Sequence, residues 1–130
     1  MTGPFDAKTE IFQAFKKNTL LISLCPGGFH NRNAKPPKDG PEYPRIVYSE
    51  LKNGDDDYAD NEAISAEVRF QISIFNTAET ISSETPIAKE VDKTMKSIGF
   101  SRYDSNDLYE EEIKVYHKPM RYLKTYLGGS

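Results

Sequence analysis

The sequence predicts an α+β fold: a single domain over residues 1–130, with a sheet of about four mostly antiparallel strands and two helices packed on one face. Three observations carry this. Val68, Phe70, Ile72 and Ile74 alternate with Glu67, Arg69, Gln71 and Ser73, which is the period of a strand covered on one side only. Ile87, Val91, Met95 and Ile98 keep the helical interval between Pro86, placed at a first helical position, and Gly99, which supplies a left-handed stop. The segments then follow one another as helix, loop, strand, strand, helix, strand, strand, with no internal repeat.

Asp6 is read as the N-cap of a first helix running to about Lys17, because Ile11, Phe12 and Phe15 recur on one side while Lys8, Glu10, Lys16 and Lys17 take the others. From Cys25 to Tyr43 the density of Pro and Gly predicts a long flexible loop, residues 26–43, broken only by a short extended piece near Phe29 and His30. A loop of that length in a compact domain is itself a hint of binding or of ordering on assembly. Ile46 to Leu51 reads as a strand ended by Asn53-Gly54, and Asp55 to Glu62 as an acidic turn. After Gly99, a strand near Phe100 to Tyr103 is expected to turn at Asp104–Asp107 into a last strand from Glu111 to about Tyr122. Ile113 and Val115 share one parity and Met120 and Tyr122 the other, so this strand is expected to kink at Pro119 and to lie near an edge. Residues 128–130 are expected to be a disordered tail, whether native or not.

Composition narrows the function. With 37% hydrophobic residues in 130, the chain can build one modest core. A net charge of -3 argues against general polyanion binding, so no specific nucleic acid is expected as partner. No apolar run approaches the roughly 18 residues of a membrane helix, and residues 1–6 lack the features of a signal peptide, so a soluble cytoplasmic protein with no membrane partner is expected. The single Cys25 lies in the apolar run Leu20–Cys25 and reads as a small buried hydrophobe.

Motifs for chemistry are absent. The acidic block fails the calcium-loop template, since a loop begun at Asp55 has Ala59 fifth and Asp60 where glycine is needed; a solvated turn is the favoured reading. His30 and His117 match no ligand spacing, Gly27-Gly28 is followed by no Gly-Lys-Ser/Thr, and Ser82-Ser83 has no neighbouring base. No catalytic, cofactor or metal residue is therefore assigned, and no enzyme activity or cofactor is expected. Charge asymmetry is the stronger feature. Glu50 to Glu62 carries six carboxylates against Lys52, whereas Ile113 to Tyr126 carries Lys114, Lys118, Arg121 and Lys124 with no acid. Asp55, Asp56, Asp57 and Asp60 on one side and Lys114, Lys118 and Arg121 on the other are the candidate subunit or partner interface, meeting head to tail. Solvated faces, or neutralisation within one subunit, are the alternatives.

The order Gly99-Phe100, Arg102, Asp107-Leu108-Tyr109-Glu110, Tyr116-His117-Lys118, Arg121-Tyr122, taken with Tyr43–Tyr48 and the alternating strand Val68–Phe75, resembles the small tail-completion proteins of tailed bacteriophages and prophages, over roughly Ile11 to Leu123. The resemblance implies an α+β structural protein without catalysis. By that resemblance it would act as a ring, often hexameric, that caps the tail tube as a tail terminator or serves as a head-tail joining protein. Its partners would be further copies of itself, the tail-tube protein and the head connector proteins. Its place would be the host bacterial cytoplasm during assembly and then the virion, at the head-tail junction. The residues leave two other readings open: a small adaptor that binds a peptide along a strand edge near Pro119, and a metal-dependent nuclease using His117.

Overall fold

A computed structural model describes residues 3–33, 40–56, 58–59 and 62–127. The chain starts with a 3-10 turn, Pro4–Asp6, and runs into α1 (Ala7–Lys17), whose Ala7, Ile11 and Phe15 are buried on one side. Asp6 holds the N-cap position, yet its carboxylate accepts the Gly3 amide (3.0 Å) and caps no helical N–H. Asn18 then opens a second helix, α2 (Thr19–Leu24), by accepting the Leu21 amide at 3.0 Å, so the apolar run ending at Cys25 is largely helical.

The sheet has six strands where about four were expected. β1 (Phe29–Asn31) is the short extended piece inside the predicted loop, and it pairs in parallel with β2 (Arg45–Asp55), Phe29 opposite Ile46. That part of the loop is therefore ordered sheet, while residues 34–39 lie outside the described residues. β2 continues through Asn53-Gly54 because a bulge between Glu50 and Lys52 rotates Asn53 toward the helices, where its amide donates to Pro4 O (2.9 Å) and Glu50 Oε1 (2.8 Å). Beyond it, β3 (Tyr58–Ala59) and β4 (Glu62–Ala63) form a two-stranded ribbon. β5 (Ser65–Asn76) is the alternating strand, and Val68, Phe70, Ile72 and Ile74 are fully buried beneath the helices.

α3 (Glu84–Ser97) begins two residues before Pro86, which therefore sits at the third position; the first four helical amides lack an intrahelical acceptor, so the missing N–H costs nothing there. Gly99 has φ of 93° and Phe100 N donates to Met95 O at 3.0 Å, the left-handed stop that the sequence predicts. β6 (Ser101–Ser105), β7 (Leu108–Glu110) and β8 (Val115–Leu127) complete the sheet in the order β1-β2-β5-β8-β6, with β7 also on β8.

The expected hairpin turn at Asp104–Asp107 is displaced. β6 and β7 are one interrupted edge strand along β8, and the reversal falls at residues 111–114, where Lys114 has φ of 54°. β8 is neither at an edge nor kinked: it pairs with β5 without a register shift from Asn76↔Tyr116 to Ser65↔Leu127. Pro119 is accommodated because its carbonyl, and hence its missing N–H, faces the gap between β6 and β7, where Asn106 N donates to Pro119 O at 3.1 Å. The parity switch is thus a change of buried face. Val115 is buried on the side away from the helices, whereas Met120, Tyr122 and Tyr126 join the helix-covered core.

All three helices contribute to one core on one face, where Phe70 meets Phe100 edge-on at 6.2 Å and Phe15 meets Phe29 at 5.4 Å. Asn18 ties the helical layer together, its amide donating to Glu90 (3.1 Å) and to Thr94 (3.0 Å) on α3. Beneath α3, Asp92 accepts from Tyr122 Oη (2.8 Å), Arg102 Nε (3.0 Å) and Lys96 Nζ (2.7 Å). Burial works against the charge on Asp92, but those hydrogen bonds prevail and hold its carboxyl below the ordinary value. A depressed native pKa contributes stability above the unfolded value near 3.8 and loses it as pH falls further. Asp92→Ala also strands the buried Tyr122 hydroxyl, so urea unfolding at pH 7 should show a loss of about 1–3 kcal/mol, shrinking in acid.

Candidate assembly surface

The candidate interface residues fall on separate parts of this scaffold. Asp55 ends β2 opposite Ala66, and Asp56 donates its amide to Ser65 O at 2.9 Å, so both acids are exposed at one end of the sheet. Asp57 and Asp60 lie outside the described residues. Lys114 is in the turn before β8, at the other end; the 12 residues from there to Tyr126, which pairs with Ala66, span roughly 40 Å at about 3.3 Å per residue. That separation removes neutralisation of Lys114 by Asp55 and Asp56 within one subunit.

The three bases also point different ways. Lys118 turns to the helical side and pairs with Asp107 at 2.8 Å. Arg121 stands exposed on the opposite sheet face, donating to Gln71 Oε1 at 3.2 Å. Lys114 shares its turn with Glu111 and Glu112 and follows Glu110, so the local balance there is acidic. Lys124 is withdrawn altogether, bonded to Glu10 (2.9 Å) and to Ile98 O (2.7 Å). Sequence spacing counted charges along a strand, whereas alternate residues of a strand face opposite sides.

The uncovered sheet face is an interlinked polar surface. Glu67 accepts from Arg69 and, at 3.4 Å, from Lys52; the Arg69 hydrogen bond chiefly holds its carboxyl below the ordinary range. The Arg69 guanidinium also lies 5.0 Å from the Tyr103 ring. Further along, Gln71 donates to Ser73 at 3.0 Å, His117 Nε2 is hydrogen-bonded with Ser73 Oγ at 2.8 Å, and the His117 ring stacks on Phe75 at 4.4 Å. Arg45 covers Tyr43 at 4.6 Å and Phe75 at 5.7 Å. Burial lowers the pKa of His117, with Glu110 opposing.

The histidines and the cysteine stand apart on this scaffold. His30 is hydrogen-bonded with Gly27 O at 2.8 Å and sits in β1, three strands from His117. Among the described residues no three His, Cys, Asp or Glu side chains converge on one point. Cys25 is buried, and burial pushes its thiol up to about 12. An open groove of about 470 Å³ between α1 and α3 is lined by Gln13, Lys17, Asn18, Glu90, Lys93 and Thr94, and its polar floor is the Asn18 bonding already described. No described helix is long and apolar enough to cross a membrane. The adaptor alternative placed a peptide-binding edge near Pro119, but β8 is flanked on both sides; among the described residues the outer strands of the sheet are β1 and, on the other side, β6 and β7.

Neither known protein families nor curated proteins match the sequence. Solved structures do match the fold. A chain from the virion of a native gene transfer agent particle superposes with a TM-score of 0.65 at 14% identity, over 91% of this chain and 92% of that one. The bacteriophage SPP1 gp17 protein gives 0.52 at 11% identity, over 98% and 93%. The chain therefore has, over nearly its whole length, a fold found in a chain of a gene transfer agent virion and in a bacteriophage protein, in agreement with the tail-completion likeness of its sequence.

Proposed function

We infer that this chain is a structural morphogenesis protein of a phage, prophage or phage-like particle, which assembles as an oligomeric ring, completes the tail tube and joins it to the head connector. The observation that carries this reading is the near full-length fold likeness to a virion chain and to a phage protein, against a sequence with no catalytic motif. The uncovered sheet face supports it, because side chains locked by mutual hydrogen bonds and ring contacts present a preorganised polar surface that loses little entropy on docking. Arg121 on that face, and Asp55 and Asp56 at the end of the sheet, are the proposed contacts to the tube or connector proteins; specificity comes from shape and charge.

The test is removal of the gene from its phage or prophage, followed by electron microscopy of the lysate. Separate filled heads and unattached or overlong tails are expected, with joining restored by the purified chain. Normal joined particles without the chain would refute the reading. In the restoration assay, Arg121→Glu should reduce joining at least tenfold while leaving the melting temperature within a few degrees, since Arg121 is exposed and its hydrogen-bond partner, Gln71, is a neutral amide.

A further inference from the structure

Two surfaces at opposite edges of the sheet match in both charge and apolar character. The first lies on α1 and α2, above β1 and β2, where α1 is anchored by Phe12 and Phe15 against Tyr48 and by Phe15 against Phe29. The exposed residues of these two helices include Phe12 (37%) on α1, with the Lys16 ammonium 5.9 Å from its ring and Lys17 beside it in sequence, and Leu20 (52%) and Ile22 (39%) on α2, on either side of the buried Leu21. The second is the knob formed by β7 and the turn after it, on the far edge. There Leu108, Tyr109 and Ile113 are exposed beside Glu110, Glu111 and Glu112. Among the described residues none of these lysines or glutamates has an ion-pair partner, unlike the acids and bases of the core network.

We propose that the β7 knob of one copy docks on the α1–α2 face of the next, with Glu110, Glu111 and Glu112 against Lys16 and Lys17 and the apolar side chains of both surfaces buried between them. This rests on the ring reading and names the contact that builds it. The occupant is a second copy because the complementary surface is on the same chain. The geometry is heterologous, since the two patches sit on opposite edges of one sheet, and contacts of that kind close into rings when the rotation permits. Exposed large apolar residues rimmed by unpaired charges of one sign describe the core and rim of a protein contact. Lys114 is the one base in the knob and leaves it net acidic.

The test is a charge swap read by sedimentation of the full chain at low salt. Lys16→Glu with Lys17→Glu, and separately Glu110→Lys with Glu111→Lys, should each weaken self-association roughly 100-fold, as like charges then face each other. The chain carrying all four changes should recover to within about tenfold of the wild type. Mixed Lys17→Cys and Glu111→Cys chains should form a disulfide-linked pair under mild oxidation, which neither forms alone; Cys25 is buried and does not compete. A wild type that assembles while both reversals assemble equally well overturns the docking contact and leaves the ring reading standing. A wild type that stays monomeric, with no cross-link in the mixture, overturns both.

Discussion

Replacing Phe70 with Ala is expected to lower the unfolding free energy by about 3–5 kcal/mol. Phe70 lies on the central strand β5, fully buried between β2 and β8, opposite Glu50 and Tyr122 in register. Its ring meets Phe100, which follows the stop of α3, so the truncation opens a cavity where sheet and helix join. Backbone pairing on both sides holds β5 in place and limits collapse into the space, which puts the loss at the upper end of large-to-small changes. For 130 residues the total stability is on the order of 7–20 kcal/mol, so about 15% to 70% of it would go. Urea titration followed by tyrosine fluorescence measures this; a loss below about 1 kcal/mol would mean that the α3–sheet junction repacks freely.

The second large effect is expected at Gly27. A Cβ there would lie 2.1 Å from Glu42 O and 2.7 Å from Pro44 O, both backbone atoms held by the start of β2. Its amide donates to Pro44 O at 2.9 Å, and Ile46 N donates to Gly28 O at 3.0 Å, so the segment cannot retreat without releasing β1. Gly27→Ala should destabilise by about 3 kcal/mol or more, with faster amide exchange at Ile46 and Arg32. Gly40→Ala is the control: φ there is 93° but no atom lies within 4 Å of the added carbon, so only the left-handed backbone is penalised, by about 1 kcal/mol.

Periodicity made the core legible. α1, α3 and β5 are the segments whose apolar residues recur at a single period, and their buried faces are those the sequence marks, except that Phe12, grouped in sequence with Ile11 and Phe15, is 37% exposed at the margin of the α1 face and Ala7 takes a buried place instead. What escaped depended on three-dimensional pairing. α2 is six residues long, too short for a full helical period to register, though Asn18 before an apolar run was an N-cap signal. β1 was legible as a short extended piece near Phe29 and His30, but its parallel pairing with β2 was not, since it has no alternation of its own. Asn53-Gly54 has the composition of a turn, yet it lies within β2 because the bulge before it gives Asn53 acceptors on the helical side. Charge read linearly grouped Lys114, Lys118, Arg121 and Lys124, whereas the strand deals them to different surfaces and Asp107 and Glu10 claim two of them. The Lys16 and Lys17 face was hidden for the converse reason: it is made by adjacency of two helices, and Glu10, which offsets it in sequence, is spent on Lys124.

The bond between Glu10 and Lys124 joins positions 114 residues apart, and the pairing of β5 with β8 sets Val115–Leu127 beside the central strand of the sheet. During synthesis α1 emerges first but has no finished platform until β8 has left the ribosome, and such long-range closure is slow compared with local helix formation. The helical layer thus depends on a strand whose Lys124 is made 114 residues after Glu10 of α1. A copy that stops before Val115 lacks the strand that seats α1 through Glu10, so the helical layer is expected to stay undocked until β8 is in place.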